Sequence, residues 1–283
     1  MTQRALVLAG GGVAGISWET GIIIGLADVG VHLRNAELVI GTSAGSCVGA
    51  QILSDLSNEE LFQRQVDSAL QAKEIPASVS FEQLGAQLLE IQAAATDTTD
   101  LLRRIGAAAL AAQTVTEAAR REVLVSRLPS TSWPARPLKI TAVDTATGER
   151  RVFDATSGVD LTDATAASCA VPGVWPPVTI GGSRYMDGGV YSTENADLAA
   201  GCDLAVILTP NMSASPIHPL PAVVAELERG GTRVAIIQFD DAINAVIASF
   251  GGNALDPAIR EPAAKAGREQ GRREAAKIAA LWG

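Results

Sequence analysis

The sequence predicts an α/β fold with a mainly parallel central sheet, in a single domain over residues 1–283 that carries a helical insert at about residues 57–131. Three observations predict it. A βαβ pattern fills the first 45 residues. Two glycine-rich turns, Gly10-Gly-Gly12-Val-Ala-Gly15 and Gly41-Thr-Ser43-Ala-Gly45, each end an apolar run and open a helical one. Two further buried runs, Asp203 to Leu208 and Thr232 to Ile237, appear late in the chain with helical material between them.

Composition limits the function classes. At 283 residues and 47% hydrophobic, the chain can bury a sizeable core. Aromatic residues make up only 4%, so alanine, leucine, valine and glycine fill the interior, which suits helices packed closely on a sheet. A formal charge of −9 argues against nucleic acid and limits membrane contact to peripheral, since both polyanions attract basic patches. Cys47, Cys169 and Cys202 are odd in number and lack metal-ligand spacing, so they read as reduced core thiols of a cytoplasmic protein, with no metal or cofactor expected. No leader peptide and no membrane-length apolar run are expected.

In chain order, Arg4 to Ala9 reads as a buried strand, and Ile16, Trp18, Ile22, Ile23 and Leu26 continue it as an apolar helix. Glu37 to Ile40 is the second strand. The crossover makes the two strands parallel neighbours, so both glycine turns reach the same carboxyl edge of the sheet. From Ser57 to Leu128 three or four helices are expected, because Ser57 to Glu60, Ser80 to Gln83 and Thr114 to Glu117 all fit the capping box. Leu84, Leu88 and Ile91, then Leu101 and Ile105, form amphipathic faces whose usual meaning is core packing. Pro129 to Pro134 closes this region. Leu138 to Val143 and Arg150 to Phe153 read as a hairpin around Thr147-Gly148. A short helix, Thr162 to Cys169, leads to the rigid loop Ala170 to Pro177, and Arg184 to Met186 runs into Asp187-Gly188-Gly189. Pro262 to Trp282 is a charged, alanine-rich helix packed on the outside of the sheet.

Three segments carry chemistry. Gly41 to Gly45 has the strand, sharp turn, helix context of a nucleophile elbow, with Ser43 at its apex. A helix N-terminus there favours the negative charge that develops in acyl transfer. Gly10 to Gly15 matches the dinucleotide fingerprint as well, but such a site also needs an acid at the end of the second strand, where this chain has Gly41-Thr42-Ser43. The loop's other use is an oxyanion hole, with the N–H groups of Gly11, Gly12 and Val13 aimed at a carbonyl oxygen near Ser43. A serine nucleophile needs a base. His32 reads as structural or solvent-facing. His218, in the proline-pinned loop Ser215 to Pro221, gives the order Ser43, Asp187, His218 of a hydrolase triad. Asp187 acting directly is the alternative, since two following glycines let the backbone bend close to Ser43.

Taken together, Gly10 to Gly15, Gly41 to Gly45 and Asp187-Gly188-Gly189 resemble the patatin-like phospholipase family in order and separation. Ala167 to Pro172 and Asn195-Ala-Asp197 resemble family sequence too. The resemblance implies a three-layer α/β/α sandwich of patatin type with an inserted helical cap. It implies Ser43 as nucleophile, Asp187 as general base without histidine, and Gly11, Gly12 and Val13 as oxyanion donors, acting on an acyl-ester or lipid substrate. Ala14 departs from the family, whose members commonly carry Arg or Lys inside this loop. The other readings are a triad esterase or acyltransferase using His218, a non-catalytic lipid-binding module and, last, a dinucleotide-binding protein.

Overall fold

The computed structural model describes residues 2–77, 80–210 and 217–282. Its strands are β1 (Arg4–Leu8), β2 (Leu38–Thr42), β3 (Leu138–Asp144), β4 (Arg150–Phe153), β5 (Val178–Ile180), β6 (Ser183–Asp187), β7 (Leu204–Thr209) and β8 (Arg233–Gln238). The helices are α1 (Gly12–Ala27), α2 (Ala44–Ile52), α3 (Asn58–Val66), α4 (Phe81–Ala94), α5 (Thr98–Ala111), α6 (Glu117–Arg127), α7 (Leu161–Ser168), α8 (Leu220–Arg229), α9 (Asp241–Ser249) and α10 (Arg260–Trp282). All the strands join one mixed sheet whose centre, β8-β7-β1-β2-β3, is parallel. The fold is the α/β/α arrangement expected.

The pairing of β3 decides where the sheet ends meet. Thr141 pairs with both Thr42 and Val152, so β2 and β4 lie on opposite edges of β3. Ala142 pairs with both Arg151 and Asp187, so β6 lies opposite β4 and shares the β2 edge. Because β6 is antiparallel, its last residue, Asp187, takes the position next to the one where β2 stops at Thr42. The end of β6 therefore abuts the end of β2 along one edge of one strand.

Alternation in β1 separates two cores. Leu6 and Leu8 join the core under α1, α2 and α10, whereas Ala5 and Val7 face Val223 and Leu227 of α8. Small residues let α1 and α10 approach backbone to backbone: Gly21 and Gly25 face the chain at Ala264 and Arg268, and Gly267 and Gly271 face it at Trp18 and Ile22. Buried Trp18 is anchored in that seam by its Nε1 donating to Gln270 Oε1 at 2.8 Å, with Phe239 edge-on at 4.7 Å.

Of the expected helix starts, Ser57 forms the full capping box with Glu60, and Ser80 accepts from the Gln83 N–H. The third differs. Thr116, not Thr114, caps α6 by accepting from the Ala119 N–H, while Glu117 is drawn away to accept from the Thr179 N–H at 2.7 Å. A tertiary contact thus outcompetes the local box. The faces of α4 and α5 meet Val143, Met186, Val190 and Tyr191 around the carboxyl end of β3 and β6. No helix among the described residues is long and apolar enough to cross a membrane.

Between α3 and α4 the chain buries a carboxylate. Glu74, 4% exposed in its side chain, accepts a two-pronged bond from Arg127 Nε and Nη2, both at 2.8 Å, and pairs with Arg260 and Arg120. Burial acts to raise its pKa, but Arg127 and the other guanidinium groups hold it below the ordinary carboxylate range. This knot ties the segment before α4 to α6 and α10. Glu74→Gln leaves three buried guanidinium groups without their carboxylate, so urea unfolding is expected to show a loss of about 3–5 kcal/mol.

Candidate active site

Ser43 sits between β2 and α2 with φ 52° and ψ −116°, a conformation that costs a non-glycine residue about 1–3 kcal/mol. Four bonds hold its peptide groups there. Its N–H donates to Ser168 Oγ at 2.8 Å, and its carbonyl accepts from Ser46 Oγ at 2.6 Å, the Ser46 N–H at 3.0 Å and Cys169 Sγ at 3.2 Å. The turn requires its second glycine, because a Cβ on Gly45 would collide with the Leu8 carbonyl. At that crossing the Gly45 N–H donates to Ala9 O at 3.0 Å, binding the elbow to the glycine loop.

The glycine loop leaves a gap in an otherwise complete hydrogen-bond pattern. The N–H groups of Ala9 and Gly10 donate to Leu208 O and Thr193 O, and those of Ala14 and Gly15 donate to Ala254 O and Gly11 O. The three between them, on Gly11, Gly12 and Val13, meet no protein acceptor among the described residues. Gly12 is left-handed at φ +65°, which turns the chain from β1 into α1. They are the three N–H groups that the sequence singles out, and N–H groups at a helix start suit a negative charge.

Asp187 arrives at the end of β6, buried. Its Oδ1 accepts from the Gly189 N–H at 2.7 Å, and its Oδ2 is buried without a hydrogen bond of good geometry. Burial pushes the carboxyl up to about 7, opposed by the Ser43 hydroxyl and the Gly189 N–H and aided by Cys47. Ser43 is thus near enough to act on the carboxyl without a tight bond to Oδ2. Catalytic hydrogen bonds are often long in a resting enzyme and tighten on reaction. Beneath both residues, buried Asn195 donates from Nδ2 to Thr42 Oγ1, Thr141 Oγ1 and Ser192 O at 3.0, 3.1 and 2.7 Å, pinning the ends of β2 and β3 to the segment after Asp187.

The structure brings Ser43, Asp187 and the glycine loop together at one end of the strands. His32 lies on the loop before β2, at the opposite end of the strands. His218 stacks on Tyr191 at 4.3 Å, and no histidine is among the groups that shift Asp187. Ser215 and Pro216 of its loop lie outside the described residues. Glu37, the nearest acid for a dinucleotide, is bound to Arg4 at 2.9 Å at the far edge. No group of three potential metal ligands occurs among the described residues. Sequence reasoning passed over Ser168, whose hydroxyl holds the strained turn from 125 residues away.

The family model for patatin-like phospholipase matches residues 6–200. No curated protein matches the chain. Among solved structures, VipD from Legionella pneumophila is 14% identical with a TM-score of 0.47, over 98% of this chain and 67% of that one. A chain of the ExoU–SpcU complex from the type III secretion system of Pseudomonas aeruginosa is 16% identical with a TM-score of 0.39, over 98% and 51%. This chain spans about half the length of that ExoU structure.

Asp187 makes stability depend on pH. Its carboxyl titrates near 3.8 when unfolded and at about 7 when folded, so the native state holds the proton more tightly. The resulting stabilisation is complete below the unfolded value and is lost as pH rises to about 7. Asp187→Asn, which stays neutral, is expected to raise Tm relative to the parent above pH 7 and to leave it unchanged near pH 4, as thermal melts across that range would show.

Proposed function

The chain belongs to the patatin-like phospholipase family, and we propose that it is a lipid ester hydrolase working through a Ser43–Asp187 dyad with the glycine loop as its oxyanion hole. The observation that carries this reading is the buried, unbonded Oδ2 of Asp187 at the junction where β6 meets β2, one residue from Ser43. Asp187 takes the Ser43 proton on Oδ2 as Oγ attacks the ester carbonyl. The Gly11, Gly12 and Val13 N–H groups receive the oxyanion, and collapse expels the alcohol, to which Asp187 passes the proton, leaving an acyl-enzyme and a free carboxylate. Water deprotonated by Asp187 then releases the fatty acid.

A carboxyl near 7 is a far better match to a hydroxyl than an ordinary aspartate, so burial supplies part of the basicity that a histidine gives elsewhere. We assign α4 and α5 as a cap over the acyl end of the site, because they pack beside Met186 and Tyr191 on either side of Asp187, whereas α3 and α6 belong to the main core.

Hydrolysis of a chromogenic medium-chain ester tests the dyad. Ser43→Ala and Asp187→Asn are each expected to lower kcat by about a thousandfold or more, while His218→Ala keeps its activity. A fluorophosphonate probe is expected to label Ser43. Loss of activity in a folded His218→Ala variant would replace the dyad with a triad. A wild-type chain that neither hydrolyses esters nor takes the probe would make it a binding module. With kcat/KM followed against pH, the acid limb is expected at about 7.

A further inference from the structure

Directly behind the elbow lies chemistry that ester hydrolysis does not use. Cys47 on α2 and Cys169 at the end of α7 are buried, and their Sγ atoms are 3.8 Å apart. Cys202 is in the core on the other face of the sheet. Cys169 Sγ lies against Ser43, donating to its carbonyl, and Arg127 Nη1 reaches Cys47 Sγ at 3.9 Å. Arg127 belongs to the knot in which three guanidinium groups share the Glu74 carboxylate. The local excess of positive charge favours a thiolate at Cys47. Arg127 lies against Cys47 Sγ, so Cys47 is the sulfur whose thiolate is stabilised, while Cys169 keeps its proton in the bond to the Ser43 carbonyl. One sulfur is thus set as nucleophile and its neighbour as resolving thiol.

We propose that Cys47 and Cys169 are a thiol pair that a small hydroperoxide oxidises to a disulfide, and that closing this bond slows the Ser43 centre. The second half rests on the hydrolase reading above. The Cys47 thiolate attacks a peroxide oxygen; the O–O bond breaks, an S–O bond forms, and the alkoxide or hydroxide leaves with a proton as alcohol or water. Cys169 then attacks the sulfenic sulfur, forming the S–S bond and releasing hydroxide, which takes the Cys169 proton as water. The two thiols lose two electrons and the peroxide gains them. The oxidant must be small and must enter past Cys169, since Cys47 itself is 0% exposed and Cys169 only 5%.

The effect on the site follows from the distances. A disulfide draws the sulfurs from 3.8 Å to about 2.0 Å. Ser168 and Cys169 together hold the N–H and carbonyl of Ser43, so this displacement acts on the peptide that keeps φ positive. Oxidation also removes the thiolate facing Arg127, which leaves the knot more cationic and makes the bond easy to reduce.

Treatment of the whole protein with hydrogen peroxide, followed by intact mass, peptide mapping under denaturing alkylation, and ester hydrolysis, tests this. The expected result is the loss of two hydrogens, a Cys47–Cys169 cross-link with Cys202 free, and a drop in activity of about tenfold or more that dithiothreitol reverses. Cys47→Ser and Cys169→Ala, each compared with its own untreated activity, are expected to lose this sensitivity. Three alkylatable thiols after treatment, a cross-link through Cys202, or sulfinic acid at Cys47 without a cross-link would overturn the pair. A Cys47–Cys169 cross-link with unchanged activity would overturn the control of Ser43. Should the untreated protein hydrolyse no ester, the hydrolase reading fails, and mass and mapping still decide whether the pair forms.

Discussion

Everything at the site depends on one strand edge being used twice. β3 offers its free backbone groups first to β2 and then, from the next residue, to the antiparallel β6. Two strands that meet end to end on a shared partner cannot drift relative to each other, because each is fixed by the same ladder. Thr42 and Asp187 therefore occupy adjacent register positions, and Ser43 leaves the sheet where Asp187 enters. Asn195 closes the junction from below by binding the hydroxyls of Thr42 and Thr141 at once. The precision comes from backbone pairing, which is less yielding than a side-chain rotamer.

Strain and desolvation act on the two residues in complementary ways. The elbow holds Ser43 in a backbone conformation it would not choose, kept in place by four hydrogen bonds to Ser46, Ser168 and Cys169. Burial, in turn, raises the energy of the Asp187 carboxylate and so its affinity for a proton. Both features cost folding stability, and under the proposed dyad both are recovered in reactivity, the usual exchange at a catalytic centre. The Glu74 knot, outside this centre, supplies the opposite: a buried charge whose partners are all in place.

The parts of the site that are local turns were legible in the sequence. Gly41 to Gly45, Gly10 to Gly15 and Asp187-Gly188-Gly189 each announce themselves within five or six residues, because a sharp bend needs particular side chains at fixed offsets. The parallel order of the first strands was legible as well, since a short crossover permits little else. What joins the parts was not. Pairing of β6 to β3 leaves no mark in either strand, and Ser168 is an ordinary helical serine until it meets Ser43. The approach of Cys47 to Cys169, 122 residues apart, and of Arg260 to Glu74, 186 apart, is equally silent. Thr116 displaced Thr114 as a cap for the same reason: Glu117 had a distant use on Thr179.

The seat of β1 at the middle of the sheet has a kinetic meaning. Its neighbour on one side, β2, follows soon after it, but on the other side Arg4 pairs with Leu204, two hundred residues along the chain. Loop-closure entropy must be met across that span before the pairing returns anything, which makes completion of the sheet slow. The loop that carries Gly11, Gly12 and Val13 leaves directly from β1 and is tied at Ala9 to Leu208 of the late strand. During refolding, helical signal is thus expected to recover first and reactivity last, so an early compact species would bear the motifs of a hydrolase without yet being one.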